Sequence, residues 1–205
     1  MARLDDYIAA KKIALQKLSE KSFDEIAQCA AFETADPNVF RVPFLDRVYR
    51  ISFPGFNFED EADQSRDIPI QEQILILHYM QADSPRKSSG NWIAYREIPG
   101  ASFYFSAFVK RAIEPLKKAF GQNVSGLVQT SGQLGGKAVK PGDAAFEYKI
   151  FPKVPLQVIL WEGDHEFPAE ANILFDKTIG DIFSPEDIAW LAGMLVYRLI
   201  ALSSK

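Results

Sequence analysis

The chain has 205 residues, 47% hydrophobic and 24% charged, which excludes a disordered, collagen-like or wholly coiled-coil polymer and fits a single hydrophobic core. A formal charge of -4 at pH 7 and a pI near 5.3 give it no global reason to approach a phosphate backbone or an anionic membrane surface. One cysteine, Cys29, excludes an internal disulfide and, by itself, a zinc or iron–sulfur site.

Residues 1–20 interleave acids and lysines and so lack the apolar core of a signal peptide. The strongest apolar run, residues 74–80, is far shorter than the roughly 20 residues a membrane helix needs. The expectation is a cytoplasmic protein of one domain, 1–205, that binds neither nucleic acid nor membrane. With 16 Phe against 3 Met, its core is expected to be built from stiff aromatic plates, the kind that also wall ligand pockets.

Leu4, Ile8, Leu15 and Leu18 recur at helical spacing, with Lys11, Lys12 and Lys17 facing water, so the first 30 residues read as helix. Ser22 and Glu25 have the spacing of a capping box for a second short helix. Two runs of β-formers around Leu45 and Asp46 predict a hairpin ending at Pro54 and Gly55, followed by a solvated acidic loop from Glu59 to Asp67. Asp67 as cap and Pro69 in the first turn predict a helix over 68–82. Its middle is apolar all round, which marks a buried central helix carrying His78.

After the turn at 84–91, residues 91–98 alternate as a strand, with Trp92, Ala94 and Arg96 on one face. Residues 102–120 carry Phe105, Phe108, Val109, Ala112, Ile113, Leu116 and Phe120 at helical spacing, with a bend or restart at Pro115 and a C-cap at Gly121. The glycine-rich stretch 131–143 reads as a loop. Two strands joined through Val154 and Pro155 follow it, then a turn at 163–170 and a strand around Ile173. Ser184, Pro185 and Asp187 open a closing amphipathic helix. The fold class is therefore α+β: a largely antiparallel sheet packed against several helices, including the buried central helix and the C-terminal amphipathic one.

No catalytic motif is readable. Around Gly135, Gly136 and Lys137 the glycines suit a loop whose backbone donors crowd an anion, and equally a plain turn. Ser131 and Ala138 stand where a P-loop needs glycine and a hydroxyl residue, and the dinucleotide fingerprint fails as well. The bend at 161–170 concentrates Glu162, Asp164, His165, Glu166 and Glu170, which reads either as oxygen ligands for a hard cation, with Glu162, Asp164 and Glu166 as the metal set, or as a solvated acidic turn. Pro168 prevents the helix of a zinc-protease motif, and no second histidine is near. Arg96, if buried, needs a carboxylate from the 162–170 acids or from Asp176. No nucleophile elbow or triad context appears.

The order of these segments resembles the uncharacterised family named domain of unknown function 3786, over roughly residues 5–200. The likeness is carried by Trp92, Arg96 and Glu97 on one strand, by Leu134, Gly135 and Gly136, and by the stretch from Trp161 to Asp176. The family is found mainly in anaerobic bacteria and archaea, and some members are joined to a four-cysteine iron–sulfur segment. That implies a place in anaerobic redox, corrinoid or one-carbon metabolism; this chain lacks those cysteines, so the resemblance implies no cluster here.

The leading expectation is a small-ligand or cofactor-binding accessory protein, its partner a small molecule or tetrapyrrole-type ligand and its cofactor unknown. The pocket is expected where the 131–143 loop meets the 161–170 bend, using Trp92, Arg96, Gly135, Gly136, Lys137, Trp161 and His165. A metal-assisted enzyme at 162–166 and a protein-interaction scaffold are the alternatives.

Overall fold

The structure, a computed structural model, describes residues 4–203 and is α+β, with two antiparallel sheets. Contacts divide the chain into two units, the first running to Lys87 and including Phe151–Lys153, the second formed by Ser88–Ile150 and by Val154 onward.

In the first unit, α1 (Leu4–Leu18) packs on α3 (Ile70–Met80) and buries Ala14 and Leu18. Leu4 and Ile8, expected in the core, are instead 65% and 52% exposed, because α1 turns a different stripe inward. Lys11 on that inward side donates to Gln73 Oε1 at 2.6 Å rather than facing water. The short helix α2 (Phe23–Ala30) has the predicted capping box, with Ser22 N donating to Glu25 Oε2 at 2.8 Å and Glu25 N to Ser22 Oγ at 3.3 Å.

A four-stranded meander follows: β1 (Glu33–Asp36), β2 (Val39–Phe44), β3 (Arg47–Ser52) and β4 (Phe58–Asp60). The predicted hairpin is β2–β3, and alternation buries Phe40, Val42 and Phe44 on one strand and Tyr49 and Ile51 on the other. The outer strands were not legible, and the acidic stretch is not all solvated. Asp60 is 1% exposed, pairs with Tyr49 across the β3–β4 ladder, and holds Arg66 at 3.4 Å. The helix α3 is buried on most sides, as its pattern predicts. It starts one residue after Pro69, which occupies the cap position with no side-chain cap, so Asp67 does not cap it.

The second unit holds a five-stranded sheet in the order β5 (Trp92–Ala94), β9 (Glu170–Asp176), β8 (Val154–Trp161), β7 (Ala144–Phe151), β6 (Lys137–Ala138). Strand β5 stops three residues in, because Glu97 accepts from Ala94 N at 2.7 Å and closes a 3-10 turn over Tyr95–Glu97. The connection between β7 and β8 is Pro152 and Lys153; Val154 and Pro155 already lie in β8.

The predicted 102–120 helix is a 3-10 turn over Ala101–Tyr104, then α4 (Phe105–Phe108), a π-helical turn (Val109–Ile113) and α5 (Glu114–Phe120). Pro115 stands in the first turn of α5, where the α-helix restarts after the π-helical turn. It has no N–H for the Arg111 carbonyl four residues back, and the helix widens so that Glu114 N donates to Val109 O. The helix α6 (Val124–Gln133), capped by Asn123, occupies part of the stretch read as a loop. The last helix, α7 (Pro185–Ser203), opens with the predicted Ser184 and Asp187 box, Asp187 N donating to Ser184 Oγ at 3.2 Å.

Candidate functional site

The glycine-bearing segment and the acidic bend meet where β7 begins and β8 ends. Asp143 N donates to Leu160 O at 2.9 Å, and Glu162 N donates to Asp143 Oδ2 at 2.7 Å. Gly142 permits this approach: its φ is 73°, and a Cβ there would sit 2.6 Å from Leu160 O. The bend is fastened on its other side by Gly163 N donating to Gly121 O at 3.0 Å and by Gln122 Nε2 donating to Gly163 O at 2.9 Å.

Most polar groups at this rim are already spent. Asp164 Oδ1 accepts from Phe167 N at 2.8 Å and Glu166 N at 2.7 Å, and these two bonds hold its carboxyl below the usual aspartate range. His165 Nε2 lies 3.6 Å from Glu166 Oε1 in open solvent. Glu162, Asp164 and Glu166 do not converge, and among the described residues no group of three or more His, Cys, Asp or Glu side chains is placed to hold a metal ion.

Gly135, Gly136 and Lys137 stand farther along β7. Gly135 N and Gly136 N donate to Gly132 O at 3.3 Å and Ser131 O at 2.8 Å, closing the end of α6 instead of facing an anion. Gly136 is there for packing: a Cβ would lie 2.7 Å from the Tyr148 ring, whose hydroxyl shares a buried 2.6 Å hydrogen bond with Ser131. Lys137 pairs with Glu147 across the β6–β7 ladder.

Trp92 and Trp161 are not brought together. Trp161 pairs with Glu170 and Trp92 with Asp176, at opposite ends of β9, about 20 Å apart along the strand. Arg96 is exposed, not buried, and rests on an aromatic face, its guanidinium carbon 3.8 Å from the Phe105 ring centroid. Asp176, its expected carboxylate, is engaged by Ser89 N at 3.1 Å, Gly90 N at 2.7 Å and Thr178 N at 3.0 Å.

The first unit carries a concave feature that sequence reading missed. A groove of about 400 Å³ runs between α1 and the turn after β3, lined by Lys12, Leu15, Gln16, Ser19, Pro54, Gly55 and Phe56. Its floor is apolar and its polar groups stand along the helix. Ser19 Oγ donates to Gln16 O at 2.7 Å, while the side chains of Lys12 and Gln16 bond to no described residue. The signal that could have found one wall is the α1 stripe itself. Leu4, Ile8, Lys12, Leu15 and Ser19 recur every three or four residues, so they share one face. The other wall comes from a turn some 40 residues later, and no residue type announces it.

The groove sets apolar surface beside the polar side chains of Lys12 and Gln16, and Arg96 makes a cation–aromatic contact with Phe105. No helix among the described residues is long and apolar enough to cross a membrane. No curated protein and no solved structure matches the chain significantly. A family model described as domain of unknown function (DUF3786) matches residues 22–198, a span that includes every described strand and every described helix but α1 and the last residues of α7. The chain belongs to the DUF3786 family.

Proposed function

We propose that the chain is a small-ligand-binding accessory protein whose ligand is an amphipathic anion seated in the groove between α1 and Pro54–Phe56. The observation that carries this reading is the composition of the groove. Leu15, Pro54 and Phe56 supply apolar surface, and Lys12 and Gln16 supply one cation and one neutral amide along a single wall. Ligand sites combine apolar walls with a few polar anchors in this way, and here the charged anchor is positive. Leu4 and Ile8, exposed on the same stripe of α1, extend the apolar track beyond the groove.

Thermal denaturation of the full chain with octanoate, octylamine and octanol tests the reading. A ligand that binds only the folded state raises its stability, by about 2.7 kcal/mol at a concentration 100 times Kd. Octanoate is expected to raise the midpoint and octylamine to leave it unchanged, and Lys12→Glu is expected to abolish the octanoate response. Equal responses to octanoate and octylamine, or a full octanoate response in Lys12→Glu, would remove the reading.

A further inference from the structure

The stripe of α1 that walls the groove sets a cation between two apolar stretches. Lys12 has Leu15 one turn after it and Ile8 and Leu4 one and two turns before it. At the rise of an α-helix these are offsets of about 4.5 Å on one side and about 6 and 12 Å on the other. Leu15 lines the groove with Pro54 and Phe56, while Ile8 and Leu4 are 52% and 65% exposed. A single exposed leucine is ordinary on a protein surface. Here two apolar side chains stand in line with a groove and with the one cation in its lining, and that alignment gives them weight.

The helix does nothing to neutralise Lys12. The positions that reach it along α1, three and four residues away, are Ile8, Ala9, Leu15 and Gln16, none of them charged. Asp5 and Asp6 stand a further turn back, in the first turn of the helix, and Lys12 forms no ion pair among the described residues. Lys11, its neighbour, is committed to Gln73 Oε1 at 2.6 Å. An unpaired ammonium with apolar surface on both sides is complementary to an anion whose charge sits in the middle of the molecule, with apolar groups to either side.

We infer that the ligand of the groove is a branched monoanion, its acid group at Lys12 between two apolar arms, one lying against Leu15, Pro54 and Phe56 and the other along Ile8. This ligand class rests on the reading of the groove given above and narrows it. An extended chain advances about 1.2 Å per bond, so an arm of about five carbons covers the stretch from Lys12 to Ile8. A straight chain with its carboxylate at Lys12 uses one side only. Eleven further carbons extend about 13 Å, past Leu4 in one direction or past the polar Ser19 in the other.

Calorimetric titration of the full chain with octanoate, dodecanoate and the dodecanoate isomer 2-pentylheptanoate tests the inference. The two isomers have equal charge and carbon number, so a difference between them reports where the charge sits. The branched isomer is expected to bind about fivefold more tightly, the worth of half-burying two or three more methylenes. Ile8→Ser, at an exposed position, is expected to remove about that factor from 2-pentylheptanoate and to leave octanoate, which fits within the groove, unchanged. Ile13→Ser alters a residue of similar exposure, 57%, about 140° round the helix, and is expected to change neither. Octanoate binding that Lys12→Glu abolishes, combined with equal affinity for the two isomers, overturns the inference and leaves the reading of the groove standing. Wild-type affinity for the branched anion in Ile8→Ser does the same, as does an equal loss for octanoate in that variant or for the branched anion in Ile13→Ser. Failure of all three anions to bind removes the reading and the inference together.

Discussion

Asp176 shows what a single side chain contributes. Its carboxylate accepts from the backbone N–H groups of Ser89, Gly90 and Thr178 and from the hydroxyls of Ser89 and Thr178. Burial pushes its pKa up, but the bonds from Thr178, Ser89 and Gly90 outweigh burial and bring it from 3.8 down to about 2. A carboxyl more acidic in the folded state stabilises the fold fully above its unfolded pKa, and loses that contribution as pH falls through the folded one. Asp176 therefore contributes about 2 kcal/mol at neutral pH, lost progressively between about pH 4 and pH 2. Asp176→Asn places an amide among five donors and is expected to lower the urea midpoint markedly at pH 7, with the gap to wild type narrowing below about pH 3. Parallel pH profiles for the two proteins would refute this account.

Elements make the same substitution act in opposite directions. Gly132 lies within α6 with nothing within 4 Å of where its Cβ would be, so Gly132→Ala is expected to stabilise by about 0.5–1 kcal/mol through helix propensity and a less flexible unfolded chain. Gly193 lies within α7, where a Cβ would meet Arg111 O at 3.2 Å and Arg111 Cβ at 3.3 Å. Gly193→Ala pushes α7 away from the π-helical turn and is expected to cost about 1–3 kcal/mol despite the better propensity. Thermal midpoints of the two variants, one raised and one lowered, check the pair. What the sequence made legible follows the same division between local and distant causes. Both capping boxes, at Ser22 and Ser184, were readable because each is closed by residues three apart. The helix α6 was not, because Gly126, Gly132, Ser125 and Thr130 are poor helix formers and its support comes from packing, α7 included. Gly121 is the C-cap of α5, as its place in the sequence suggests, and it takes that position in the right-handed region with φ -61°. Its role is close approach, since a Cβ would lie 2.6 Å from Ala169 Cβ, a contact 48 residues away in the chain.

At the scale of the whole molecule, no linker in the sequence marks the two units, because one boundary falls in an ordinary polar turn near Lys87 and the other in the hairpin between β7 and β8. The meeting of Asp143 with Glu162 was legible in part, since both flank strands that the β-formers outline. The groove and the Arg111 environment were not, because each depends on a partner surface supplied from far along the chain. The same dependence fixes what holds the first unit together. Phe151 stacks on Tyr79 of α3 with ring centroids 4.4 Å apart and packs 5.0 Å from Phe44 of β2. All three are fully buried, so this unit completes its aromatic core with a residue that follows Lys87 by 64 positions. Phe151→Ala removes a large ring from a site walled by two others that cannot collapse into the space, which costs about 3–5 kcal/mol. Hydrogen exchange resolves where the loss falls. Amides of α3 and β2 are expected to exchange faster in Phe151→Ala, while those of α7 keep wild-type protection. Equal loss across α3 and α7 would mean that the chain opens as one cooperative body, and unchanged protection in α3 would mean that Phe151 is not part of the first unit's core.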